Sequence, residues 1–91
     1  MSISEQAKTH LIELIYEGET LDAFDLEAFY SWVEASYEAL VFKPLQQERF
    51  DKYCRSSYDG TSMRLFGGVW MLKQALYEES PEDYTPTYSQ V

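Results

Sequence analysis

Cysteine, histidine and proline are scarce in this 91-residue chain, which has one Cys, one His and three Pro. With Cys54 alone no intrachain disulfide can form, which excludes a disulfide-stapled secreted scaffold and makes a cytoplasmic location the expectation. His10 and Cys54 are far apart in sequence and neither belongs to a short multidentate cluster, so no metal, no cofactor and no catalytic residue is expected. No apolar run approaches the roughly 20 residues needed to cross a bilayer, and no basic segment precedes an apolar one at the N-terminus, so neither a membrane span nor a leader is expected.

Basic residues are also scarce where the acids are densest. Residues 1–42 carry nine carboxylates against Lys8 alone, residues 43–77 carry six Lys/Arg against Glu48, Asp51 and Asp59, and Glu78, Glu79, Glu82 and Asp83 follow with no base, for a net charge of −9. Such a chain repels phosphate backbones and anionic membranes and favours basic partners, so at most weak binding to bulk nucleic acid is expected. Arg49, Lys52, Arg55 and Arg64, with Tyr53 and Tyr58, form the one local exception, a pattern with the charge and the stacking rings of a single-strand binder.

Aromatic residues are abundant: eight Tyr, five Phe and two Trp. One thin core of a chain this short is easily filled, so the remaining rings are candidates for a partner surface or a homodimer seam, with Phe29, Trp32 and Trp70 as anchors. The opposite placement, inside the core, is equally open for Phe29, Trp32 and Tyr37.

Hydrophobic spacing predicts an all-α or mostly α fold, a bundle of three to four short helices in one domain over 1–79 with a mobile acidic tail over 80–91. A first helix over 3–20 carries Ala7, Leu11, Leu14, Ile15 and Gly18 on one side, with Ser2 and Glu5 as its capping box and Gly18 marking either an end near residue 18 or a close crossing by a neighbouring element. A second, over 23–42, carries Phe29, Trp32, Val33, Ser36, Tyr37 and Leu40 on one face, with Asp22 or Asp25 as its cap. A third, over 45–55, follows Pro44 and presents Leu45, Arg49, Phe50, Tyr53 and Cys54. After a turn in which Gly60 is able to take a positive backbone angle, a fourth over 62–78 carries Leu65, Val69, Leu72 and Leu76, and Gly67-Gly68 marks a kink or loop, or else a close helix contact, with a short strand or ligand loop as the remaining reading. That glycine pair lacks the further glycines and the lysine of a phosphate-binding loop.

Glu13 and Glu17, like Glu34 and Glu38, are four apart and share a helical side. Together with Asp22, Glu27, Phe29, Trp32 and Tyr37 they make the candidate partner-binding set. The expected function is a small acidic interaction or regulatory module, not an enzyme, which binds a protein partner, a basic one being favoured, through an acidic and aromatic surface. A sharper alternative has Glu13, Glu17, Glu19, Asp22, Glu27, Glu34 and Glu38 standing where phosphates would lie, as a nucleic-acid-mimicking inhibitor of a nucleic-acid-binding protein. A small enzyme of unknown reaction is the different-class alternative.

Overall fold

The computed structural model describes residues 4–79, which form four helices around one core with a Cα radius of gyration of 12.5 Å. They are α1 (Glu5–Thr20), α2 (Leu26–Ala39), α3 (Pro44–Ser56) and α4 (Thr61–Glu79), with a 3₁₀ turn at Leu40–Phe42 between α2 and α3. The segment 80–91, expected as a tail, lies outside the described residues, as does Ser2.

Polar side chains set the first two helix starts. Ser4, not Ser2, caps α1: its Oγ accepts from the Ala7 amide at 3.1 Å, which satisfies a donor that has no partner in the first turn. The second helix begins three residues later than its apolar spacing suggests, because Asp22 and Asp25 each capture a backbone amide. Asp22 Oδ1 accepts from Phe24 at 2.9 Å and closes a turn, and Asp25 Oδ1 then accepts from Ala28 at 3.1 Å as the cap. Pro44 occupies the first turn of α3, where its missing N–H costs nothing.

The core is Leu11, Leu14 and Ile15 from α1, Phe29, Trp32 and Val33 from α2, Phe50 and Cys54 from α3, and Leu65, Val69, Leu72, Ala75 and Leu76 from α4, with Leu40 from the 3₁₀ turn. Trp32 is its centre. The indole packs edge-on to Phe50 with centroids 5.8 Å apart, and its Nε1 donates to the Leu14 carbonyl at 2.8 Å, so the one polar atom of this large side chain is paired inside the core.

Of the readings open for Gly18 and for Gly67-Gly68, the structure takes the close approach of a neighbouring helix at both. Gly18 does not end α1, which runs on to Thr20; it is buried, and a Cβ there would lie 2.7 Å from Trp32 Cζ2 and 2.6 Å from Val69 Cγ2. The Gly67-Gly68 pair neither kinks nor breaks α4, which continues through it. A Cβ on Gly68 would stand 3.1 Å from both Cys54 Sγ and Trp32 Cη2, and one on Gly67 only 2.5 Å from the Tyr53 ring. Both glycines are sites of close approach by a neighbouring helix, and the lost helix propensity is offset by the packing it permits. Gly60 does not take a positive backbone angle, and neither does any other described glycine.

The homodimer anchors are corrected in the same way. Phe29 and Trp32 are wholly buried among the helices, so neither is a surface anchor in this fold. Of the mixed apolar and basic set read for the third helix, Leu45 and Arg49 are exposed on α3, Phe50 and Cys54 are buried, and Tyr53 packs partly buried against the core.

Candidate functional site

Because Phe29, Trp32, Val33 and Ser36 turn one side of α2 into the core, the opposite arc must face out. Glu27, Ser31, Glu34 and Glu38 occupy it, within roughly 60° of one another at the 100° per residue of an α-helix. With Leu26, Tyr30 and Ala35 they line a shallow, open depression of about 580 Å³ along the helix. Apolar floor and carboxylate rim thus come from one element, and among the described residues the bases that reach this surface come from other helices, Arg55 at Glu34 and Arg64 at Tyr30.

The ring in this surface is held from behind. Tyr30 stacks edge-on against buried Phe29 at 5.0 Å, and its hydroxyl accepts from Arg64 Nη1 at 3.0 Å. Arg64 in turn lies over the Phe29 and Tyr30 rings, 5.4 and 5.9 Å from their centroids, and donates through Nη1 to the Cys54 carbonyl at 2.7 Å. A guanidinium from the first turn of α4 therefore ties the end of α3 to the face of α2, a task for which a planar fork suits better than an ammonium.

The carboxylates differ in their engagement. Glu34 Oε2 accepts from Arg55 Nη2 at 3.4 Å, while Arg55 Nε also pairs with Asp51 at 2.6 Å. Glu27 and Glu38 form no ion pair among the described residues. Glu13 and Glu17 stand on the exposed arc of α1, Glu13 within 4.0 Å of His10 Nδ1, and Asp22 is committed to its turn. Tyr37 is half-exposed at the far end of α2, where its carbonyl accepts from Gln47 Nε2 at 2.8 Å. Glu19 is drawn away to Lys73 of α4 at 2.7 Å. Glu27, Glu34 and Glu38 share one face of α2, while Glu13 and Glu17 stand on α1 and Asp22 in the turn that joins the two helices.

The basic cluster read from the sequence is taken apart. Arg55 is bound to Asp51 and Glu34, and Arg64 is committed beneath Tyr30, which leaves Arg49 and Lys52 on the outer side of α3. The Tyr53 hydroxyl donates to Asp59 Oδ2 at 3.0 Å, and burial first, then this bond, raises its ionisation above the ordinary tyrosine range. Cys54 is fully buried against the core, and its thiol is pushed up to about 12, chiefly by desolvation. His10 is exposed on α1, and among the described residues no group of three or more His, Cys, Asp or Glu is placed to hold a metal ion. No helix among the described residues is long and apolar enough to cross a membrane.

Sequence reasoning missed Leu26, Tyr30, Ser31, Ala35 and Arg64 in this surface. The first four had a readable signal, since they fall between Glu27, Glu34 and Glu38 at helical spacing; Arg64 had none, because its partners lie on two other helices. No family model matches this chain, and neither a curated protein nor a solved structure does.

Proposed function

We propose that this chain is a protein-interaction module that receives a basic segment of a protein partner along the outer face of α2. One observation carries the reading: Glu27 and Glu38, with no ion pair among the described residues, flank an apolar floor in which Tyr30 is already fixed by Phe29 and Arg64. A ring ordered before binding loses little entropy on contact, and rim carboxylates steer a Lys/Arg-bearing partner and set its register more than they add affinity. The net charge of −9 acts in the same direction at longer range.

A photo-crosslinking side chain in place of Ser31, compared with one in place of Lys52 on the outer side of α3, tests the reading in the native cell. Crosslinks from position 31 to a Lys/Arg-rich segment of a partner are expected. Crosslinks from position 52 with none from position 31 would place the working surface elsewhere.

A further inference from the structure

The acidic face of α2 does not stop at the head of the helix. Leu26, the first residue of α2, lines both the depression beside Glu27, Glu34 and Glu38 and a second hollow of about 380 Å³. The other walls of that hollow are Ala23 and Phe24 of the turn between α1 and α2 and the head of α4 from Gly60 to Met63, and no charged side chain lines it. Phe24 is 89% exposed, Met63 58% and Leu26 53%, so three large apolar groups stand in water around one concavity.

Both walls have fixed backbones. The Phe24 amide donates to Asp22 Oδ1 at 2.9 Å and the Asp25 amide to the Asp22 carbonyl at 3.0 Å, which closes the turn that presents the ring. Opposite it, the Arg64 amide donates to the Gly60 carbonyl at 3.0 Å as α4 begins. A hollow built on ordered backbone costs little to order further on contact. The charges around it are occupied: Asp22 and Asp25 hold the turn and the cap, Asp59 accepts from Tyr53, and Arg64 donates to the Cys54 carbonyl and the Tyr30 hydroxyl. Glu27, next to Leu26, begins the acidic rim.

The order along the face is thus apolar hollow first and carboxylates after it. At 1.5 Å per residue Glu34 and Glu38 stand roughly 12 and 18 Å along α2 from Leu26. The described residues contain no strand and hence no sheet edge for an extended segment to join, whereas the three-and-four spacing of the rim is repeated by a second helix laid alongside. Resting on the reading of α2 given above, we propose that the basic segment it receives is an amphipathic helix with one large aliphatic or aromatic side chain seated between Phe24, Leu26 and Met63. Its bases then lie about eight and twelve residues from that side chain, over Glu38 and over the Glu34 carboxylate shared with Arg55. The carboxylates select for charge, and the hollow selects among basic segments and fixes their register.

Three fluorescein-labelled, alanine-based helical peptides of about 18 residues, with lysines spaced to meet Glu27, Glu34 and Glu38, test this by fluorescence anisotropy with the full chain. One carries leucine near its N-terminal end, one near its C-terminal end and one none, because the hollow admits either chain direction. One of the two leucine peptides is expected to bind at least fivefold more tightly than the leucine-free peptide, with a gain that stays constant between about 50 and 300 mM salt. Phe24→Ala with Met63→Ala is expected to abolish this gain, with the melting temperature and the affinity for the leucine-free peptide unchanged, since both side chains are exposed. No gain from leucine at either end, or a gain that survives in the double variant, would overturn the inference while the leucine-free peptide still loses affinity with Glu27→Lys and Glu38→Lys. A leucine-free peptide indifferent to that charge reversal would overturn the reading of α2, and this inference with it.

Discussion

Trp32 and Gly18 are packed so closely that the indole edge occupies the space of the missing side chain: a Cβ at position 18 would sit 2.7 Å from Cζ2. Neither the ring nor Val69 Cγ2 on the other side is a flexible side-chain end. Gly18→Ala is therefore expected to destabilise the fold by about 1–3 kcal/mol in urea unfolding, although Ala is the better helix former by up to about 1 kcal/mol. Gly60→Ala is the matched control. It meets no atom within 4 Å and needs no positive backbone angle, so it is expected to be neutral or to stabilise by about 0.4–1 kcal/mol. Equal effects at the two positions would contradict this packing.

Arg64 is expected to be the most costly charged residue to remove. Arg64→Ala strips a donor from both the Cys54 carbonyl and the Tyr30 hydroxyl and uncovers the Phe29 ring, at a cost of about 1–3 kcal/mol. Arg64→Lys is expected to recover less than half of this loss, since a point charge cannot serve the same acceptors while stacking on the rings. Thermal unfolding of the two variants checks both statements.

Ser36 shows the opposite balance. Its Oγ is buried with no hydrogen-bond partner among the described residues, so the hydroxyl carries a desolvation cost with nothing in return. Ser36→Ala is expected to leave stability unchanged or to raise it by up to about 1 kcal/mol in the same denaturation assay.

Cys54 gives a pH dependence of definite sign. Its thiol ionises at about 12 in the folded chain against an ordinary 9.0, so between these values the folded state holds a proton that the unfolded state has released. The contribution is fully present below pH 9 and is lost as pH rises toward 12, and Cys54→Ala is expected to flatten this alkaline slope. At pH 8 a thiol-reactive disulfide reagent is expected to label the native chain about a thousandfold more slowly than the chain in guanidinium, in step with the thiolate fraction. Rapid native labelling would contradict the burial.

The helices were legible in the sequence because their signals are local. The three-and-four spacing of Phe29, Trp32, Val33 and Ser36, and Pro44 at the head of α3, both need only neighbours along the chain. At Gly18, Gly67 and Gly68 the sequence left a break and a close helix contact both open, because each is decided by a ring or sulfur from another helix. The same holds for Phe29 and Trp32, whose burial depends on how four helices meet. Of the candidate surface, Glu34 and Glu38 were visible as a same-side pair, whereas the bracing of Tyr30 by Arg64 links residues 34 apart and leaves no trace in spacing.

The central claim, that the outer face of α2 receives a basic partner, is tested most directly by reversing the two acids that have no ion pair among the described residues. With Glu27→Lys and Glu38→Lys together, affinity for the partner crosslinked at position 31 is expected to fall at least tenfold at about 150 mM salt, a loss of about 1.4 kcal/mol or more, with a shallower salt dependence and an unchanged melting temperature. Unchanged affinity and unchanged salt dependence in a folded double variant would contradict it.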